Sequence, residues 1–438
     1  MKFKIISLGC PKNLVESEYI TFMLENEGHI LSDDCSTVII NTCAFISDAA
    51  KESIEVVLEE AKDKSKTGKR IVVTGCLVER YRDKLARLLP EVDLFAGRGM
   101  YNEIGQLAEK NGFFIRDVPF HDTFPRKILT SKPSAYLKIQ EGCDNRCTYC
   151  TVPDIRGKLQ SRPVTEIKAE LIYLVENGFR EINIIGQDIT SFGRDTGCDL
   201  KALLREILEV PGDYFVRLLY MHPKGVDDDL INLIASSERI IPYLDIPIQH
   251  SEDRILRMMG RGYTRDELEY LFRKIRSALP DVTLRTTVIV GFPGESVDDF
   301  SGLCDFVKNN EFDMLGAFAY SKEEGTPASG FKGHIRGNIK QKRHHEIMAI
   351  QQDISKQRLQ RLVGRTAMVI VEGYEKPYMV GRLLTQAPDI DGIAFIKGEC
   401  KVGEIREGKI VKTLDYDVIV EVQEKGRKTE DRERKTEV

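Results

Sequence analysis

No run of about 18 consecutive apolar residues occurs in the 438-residue chain, which excludes a transmembrane helix and any expectation of a membrane partner. No export leader is expected either. The opening MKFKIISLGC sets charged residues into its apolar stretch and reads as a first strand. Basic charge is not in excess: a net charge of −5 speaks against wholesale binding of a phosphate backbone. RNA contact is left open and is not expected to dominate. Cysteine, at ten residues, is too sparse for a disulfide scaffold, and the expected compartment is the reducing cytoplasm. Internal repeats are absent too. What remains is an ordinary globular composition, 42% hydrophobic and 30% charged, long enough at roughly 150 residues per domain for about three domains.

The hydrophobic pattern divides the chain accordingly. Buried, β-branched runs at 3–8, 37–41 and 70–74 alternate with amphipathic stretches such as 14–27 and 48–62, which predicts an N-terminal doubly wound parallel α/β domain over 1–111. A linker with Pro119, Pro125 and Pro133 follows at 112–133. The βα rhythm restarts with strands expected at 136–139, 181–185, 215–220, 243–247, 284–290 and 315–320. Six units are too few for a closed eightfold barrel, so residues 134–363 are expected to form an open, partial (β/α)6 barrel, ending in a long basic helix at 339–362. Short strands at 366–372, 379–383, 393–397 and 418–422 then predict a small antiparallel β-barrel of OB-like character over 364–424, with a charged tail at 425–438.

Six of the ten cysteines fall into two patterned sets; Cys35, Cys198, Cys304 and Cys400 stand alone. Just past the first barrel strand, EGCDNRCTYC supplies Cys143, Cys147 and Cys150 in a C-x3-C-x2-C spacing. A short loop brings three thiolates together at little closure entropy, and no fourth Cys or His follows nearby to complete a structural zinc shell. In the N-terminal segment Cys10, Cys43 and Cys76 each follow one strand, in SLGC, INTC and VTGC, 33 residues apart. The carboxyl ends of a parallel sheet share one edge, so these thiols emerge on one rim. A shared metal site and three independent buried thiols both remain readings of that set, while a redox disulfide pair lacks the C-x-x-C spacing.

The first trio, placed directly after the first strand of a partial barrel, resembles the signature of the radical S-adenosylmethionine (SAM) enzymes. The resemblance implies a 4Fe–4S cluster whose open iron chelates SAM and cleaves it to a 5′-deoxyadenosyl radical. It also implies cofactor contacts from Tyr149 and from the strand ends: Gly186 and Gln187, Gln249, Gly291 and Ala319. Arg285 is expected to pair either with the SAM carboxylate or with a neighbouring acid. His222, His250 and Lys322 are further rim candidates, for which an ordinary surface role is an equal alternative.

Both trios together, over nearly the whole chain, resemble the methylthiotransferase branch of that superfamily. The match implies that Cys10, Cys43 and Cys76 hold an auxiliary 4Fe–4S cluster that delivers sulfur, and that the C-terminal barrel is a TRAM domain. The stretch Cys10-Pro11-Lys12-Asn13, with Asn41-Thr42-Cys43 and 320–328, looks like the branch that modifies an aspartate of ribosomal protein S-twelve, with Ala44 as a departure where glycine is expected. An electron donor such as flavodoxin or ferredoxin is implied as well. Charge leans the same way: residues 365–422 hold 8 Lys and Arg against 10 Asp and Glu, a poor balance for an RNA-dedicated barrel and a fair one for a basic protein partner. The alternatives are a transfer-RNA adenosine methylthiotransferase and a non-catalytic RNA-binding protein with structural zinc.

Overall fold

The computed structural model describes residues 1–116 and 124–422; Pro119 and the charged tail expected at 425–438 lie outside the described residues. The N-terminal segment forms a six-stranded parallel sheet in the order Ile30–Leu31, Lys2–Ser7, Thr37–Thr42, Arg70–Gly75, Leu94–Ala96, Gly112–Phe114. Its central strand Thr37–Thr42 is buried along its whole length because both faces are covered. Val38, Ile40, Ile71 and Val73 enter one core, while Ile39, Val72 and Leu94 enter the other. Three short strands escaped the sequence pattern. One of them, Gly112–Phe114, pairs with Leu94–Ala96, so the segment read as linker begins as the sheet's edge.

The middle segment is the expected open barrel. Ser134–Lys138, Glu181–Ile185, Phe215–Leu218, Ile240–Asp245, Thr283–Val290 and Met314–Ala319 pair in chain order, all parallel. Helices coat the outside, two of them fixed by capping boxes at Thr264 with Glu267 and Ser296 with Asp299. The long helix Gly337–Gln360 runs against the last strand, where His344 Nε2 lies 3.0 Å from the Ala317 carbonyl oxygen. Among the described residues no helix is long and apolar enough to cross a membrane.

The C-terminal segment closes into a barrel of five strands, Thr366–Glu375, Tyr378–Leu383, Ala394–Lys397, Ile405–Thr413 and Val418–Val422. The strand Ile405–Thr413 was missed because charged residues and Gly408 interrupt its apolar alternation. With it the expected small OB-like barrel closes, antiparallel at every seam but one. A ring of five strands cannot alternate direction throughout, and Ala394–Lys397 pairs in parallel with Val418–Val422.

The inside of the open barrel is filled by all three segments. Tyr136, Ile185, Leu219, Ile241 and Tyr243 from the barrel meet Val15 of the first helix and Ala387 of the C-terminal segment in one buried cluster. Docking of the small barrel is charged as well as apolar. Buried Glu181 accepts from Arg217 at 2.7 Å and from Arg382 at 2.8 Å. Burial alone would raise the Glu181 carboxyl, but the two guanidinium groups hold it down to about 2. An unfolded glutamate titrates near ~4.3, so this contact stabilises the fold fully above that pH and loses its contribution as pH falls towards 2. Glu181→Gln is therefore expected to lower the unfolding free energy at pH 7 by about 3 kcal/mol. Urea titrations at several pH values should show the gap from wild type closing below about pH 4; a gap that does not change with pH would contradict the ionised pair.

Candidate active site

Each cysteine of the N-terminal set sits where a strand ends. Cys10 stands immediately before helix Pro11–Asn26, Cys43 follows strand Thr37–Thr42, and Cys76 opens helix Cys76–Tyr81. Two glycines permit the approach. Gly9 has φ +91, and a Cβ there would lie 2.5 Å from the Cys43 Cβ; Gly75 has φ +92, and a Cβ would lie 2.3 Å from the Asn41 side-chain oxygen. Asn13 ties the set together. Its Oδ1 is 3.9 Å from the Cys10 sulfur and 3.8 Å from that of Cys76, while its Nδ2 donates to the carbonyls of Leu8 and Thr42.

The second set lies in a loop held by its own backbone. Cys143 N–H donates to the Gly157 carbonyl and Cys150 N–H to that of Cys147. Gly142, with φ +71, passes so close to Lys158 that a Cβ would lie 2.0 Å from its carbonyl oxygen. The loop leads into the short helix Val152–Arg156, whose last residue reaches back across the segment boundary. Arg156 Nη2 donates to Asn13 Oδ1 at 2.5 Å and approaches the Cys76 sulfur at 3.3 Å, and its Nη1 bonds Glu16 at 2.9 Å and Glu141 at 3.0 Å. Arg261 plays the matching part for the other set, with Nη1 at 3.3 Å from the Cys147 sulfur.

All six thiols line one cavity of about 430 Å³, within the ordinary size of a ligand site. Of the residues expected to contact a cofactor, Tyr149, Gln187 and Gln249 line it. Gly186, Arg285, Gly291 and Ala319 are not among its lining residues. Gly186 packs on Gln140 and Gly291 lies under Lys340, at 2.7 and 2.3 Å from a notional Cβ. Arg285 takes the neighbouring acid, Asp245, at 2.9 Å. Ala319 pairs with Val290 in the sheet, and its neighbour Phe318 reaches the cavity instead. His222 also lines the cavity, and burial followed by the charges of Arg261 and Arg194 lowers it to about 3, so it is neutral. His250 is fully buried beside Glu295, and Lys322 is exposed. Sequence reasoning missed Arg156 and Arg261, which belong to no cysteine spacing, and it quoted Lys12 and Asn13 in a motif without giving either a role.

Burial raises the thiols of the metal-free chain: Cys43 to about 12, with the neighbouring Cys76 and Cys10 adding to it, Cys143 to about 11, and Cys150 to about 12. Such thiols become thiolates when a metal displaces the proton. The surroundings suit that state. Cys10 and Cys76 lie at helix N-termini, which favour negative charge. Among five linked, buried side chains, three cations (Arg98, Lys138 and Arg156) face two carboxylates (Glu16 and Glu141), leaving positive charge beside Cys76. Among the described residues no three His, Cys, Asp or Glu side chains gather at the spacing of a single ion. Each set offers three cysteine sulfurs, the ligand chemistry of an iron–sulfur core. The donor set therefore fits two three-cysteine clusters.

Comparison with known proteins agrees. The Radical SAM superfamily profile matches residues 137–307, the TRAM domain profile residues 363–422, and that of Uncharacterized protein family UPF0004 residues 2–97. The radical S-adenosylmethionine methyltransferase TsrM from Kitasatospora setae superposes with a TM-score of 0.57 at 16% identity, covering 75% of this chain and 76% of that one, a likeness of fold. Fold and site thus define a radical SAM enzyme. Ribosomal protein uS12 methylthiotransferase RimO of Pelobacter propionicus is 43% identical, covering 97% of this chain and 98% of the relative. The protein of the same name from Geobacter sulfurreducens is 42% identical over 96% of this chain and 98% of its own. The chain belongs to the ribosomal protein uS12 methylthiotransferase family.

Arg156→Met should leave Glu16 and Glu141 short of a buried partner and cost about 3–5 kcal/mol. Arg156→Lys should recover only part of it, lacking the planar fork. Urea unfolding with iron analysis of each variant checks this; a methionine variant as stable and as iron-rich as wild type would contradict it.

Proposed function

We infer that this chain is a methylthiotransferase that acts on the β-carbon of an aspartate in ribosomal protein uS12. The observation that carries the reading is the opening of both cysteine triplets into one cavity, in a chain alike to its relatives from end to end. Cys143, Cys147 and Cys150 would hold one 4Fe–4S cluster, and Cys10, Cys43 and Cys76 the other. When bound, the two clusters and SAM supply the radical, the methyl group and the sulfur.

The chain's own residues position and shield. Tyr149, Gln187 and Gln249 face the cavity from the barrel and are the expected SAM contacts. Arg156 and Arg261 set a positive charge beside each triplet, which favours the ligated thiolates over the free thiols. Phe45 and Phe318 line the cavity while remaining 43% and 54% exposed, a rim suited to an incoming protein loop. The mildly acidic C-terminal barrel suits a basic ribosomal partner better than a phosphate backbone. A cytoplasmic setting and a flavodoxin- or ferredoxin-type electron donor accompany this reading.

Alanine at Cys143, Cys147 or Cys150 should abolish SAM cleavage. Alanine at Cys10, Cys43 or Cys76 should spare cleavage and stop methylthiolation, as read by 5′-deoxyadenosine release and product mass. Equal loss of both activities from the second set would refute the division of labour. For the substrate, mass spectrometry of uS12 and transfer RNA from a deletion strain should show the methylthio mass missing from the protein alone. A loss on a transfer-RNA nucleoside instead would reverse the assignment.

A further inference from the structure

Lys12 is a charged group in the cavity that the proposed function leaves without a task. It lies two residues from Cys10, in the first turn of helix Pro11–Asn26, and is only 8% exposed, yet it lines the cavity onto which both triplets open. Its ammonium stands 3.4 Å above the centre of the Tyr220 ring. A ring face holds a cation in place without neutralising it.

The other charged groups nearby are already engaged. Arg156 is taken by Glu16, Glu141 and Asn13, and Arg261 by Tyr263 and the Pro247 carbonyl. Asp188 accepts from Asn145 and Thr190. Of the acidic groups that act on Lys12, Cys10 comes first and is itself a proposed cluster ligand, while Glu141 is held by Lys138 and Arg156 and Asp245 by Arg285. Among the described residues no carboxylate lies within ion-pair distance of the Lys12 amine, which rests on the Tyr220 ring and faces the cavity. Burying its charge is unfavourable unless something anionic completes it.

We propose that Lys12 grips the carboxylate of the substrate aspartate. This rests on the reading of uS12 as substrate and adds the residue that selects the side chain. The geometry of an aspartate explains why the grip belongs here. Its β-carbon is bonded directly to the carboxyl carbon, so a carboxylate held at Lys12 fixes the reacting carbon one bond away, beside the Cys10 triplet. An asparagine offers the same shape without the charge, and entering the site it would leave Lys12 unpaired.

The test uses anaerobically reconstituted enzyme and two peptides from the uS12 target loop, one carrying the aspartate and one carrying asparagine in its place. Wild type should bind the aspartate peptide about tenfold or more tightly than the asparagine peptide, the range of a hydrogen bond to a charged group. Lys12→Met should weaken the aspartate peptide by that factor, leave the asparagine peptide and SAM affinity unchanged, and keep its iron. Lys12→Arg should retain most of the preference; should the methionine variant lose iron, Lys12→Gln supplies the neutral comparison. A neutral variant that still prefers aspartate overturns the role of Lys12 and leaves the substrate reading standing. A fall in SAM affinity with the peptide preference intact assigns Lys12 to the SAM carboxylate and overturns it equally. No preference in wild type overturns the inference alone, since the mass of uS12 from the deletion strain tests the substrate reading separately.

Discussion

The structure depends on a buried guanidinium group at the cavity wall. Arg156 ends the short helix that follows the barrel's cysteine loop, yet beside Glu141 of its own segment its nitrogens reach the other one, at Asn13, Glu16 and the sulfur of Cys76. Burial would discourage its charge, while Cys76 and the two glutamates favour it strongly. A fork of fixed geometry that must satisfy partners on two segments fixes how those segments face each other. A second contact repeats the principle at the far side of the cavity: Glu323, from the loop after the last barrel strand, takes Arg80 at 2.7 Å and the Ser47 N–H at 2.8 Å. The shared cavity is thus the product of buried ion pairing, and apolar packing alone would allow the segments to slide.

The balance of charge in that network carries a chemical meaning. Glu16 and Glu141 are held ionised against the pull of burial by Arg98, Arg156 and Lys138. With one cation more than carboxylates, the group is electrostatically incomplete until negative charge gathers on the cysteines. Burial makes the thiols of Cys43, Cys76, Cys143 and Cys150 poor acids, and the nearby cations and helix termini make the ligated state a good one. The site therefore resists ionisation when bare and rewards it when filled.

How much of this was legible in the sequence follows from the range over which each feature acts. Long strands buried on both faces, such as Thr37–Thr42 and Glu181–Ile185, announce themselves by composition. Cys143, Cys147 and Cys150 were legible by their C-x3-C-x2-C spacing, and Cys10, Cys43 and Cys76 because parallel topology converts a 33-residue recurrence of strand-then-cysteine into a common rim. The strand Ile405–Thr413 was not, since its small barrel buries only alternate residues and charge fills the rest. Arg156 and Arg261 were invisible for a different reason: the sulfurs they approach are distant in sequence, and nothing local distinguishes a buried guanidinium from one on the surface. Arg285 was half legible, its alternatives correctly posed and decided only by the position of Asp245.

That position explains a further feature. Only a few non-glycine residues among those described adopt positive φ, and two of them, Tyr220 at +65 and Gln249 at +69, line the cavity. Such conformations persist only where the surroundings over-determine them. Asp245 does this for Tyr220: one carboxylate oxygen accepts the Tyr220 N–H at 3.0 Å while the other is held by Arg285. Gln249 is pinned by backbone bonds on both sides, donating to the Thr287 carbonyl and accepting from the Ile289 N–H. Arg285 thus acts on the cavity without lining it, by fixing the acid that fixes the strained tyrosine on whose ring the lysine rests. The chain from Arg285 through Asp245 and Tyr220 to Lys12 runs from the barrel wall to the N-terminal segment, so the polar floor of the cavity, like its ionic hinge at Arg156, is built only when the two segments are docked.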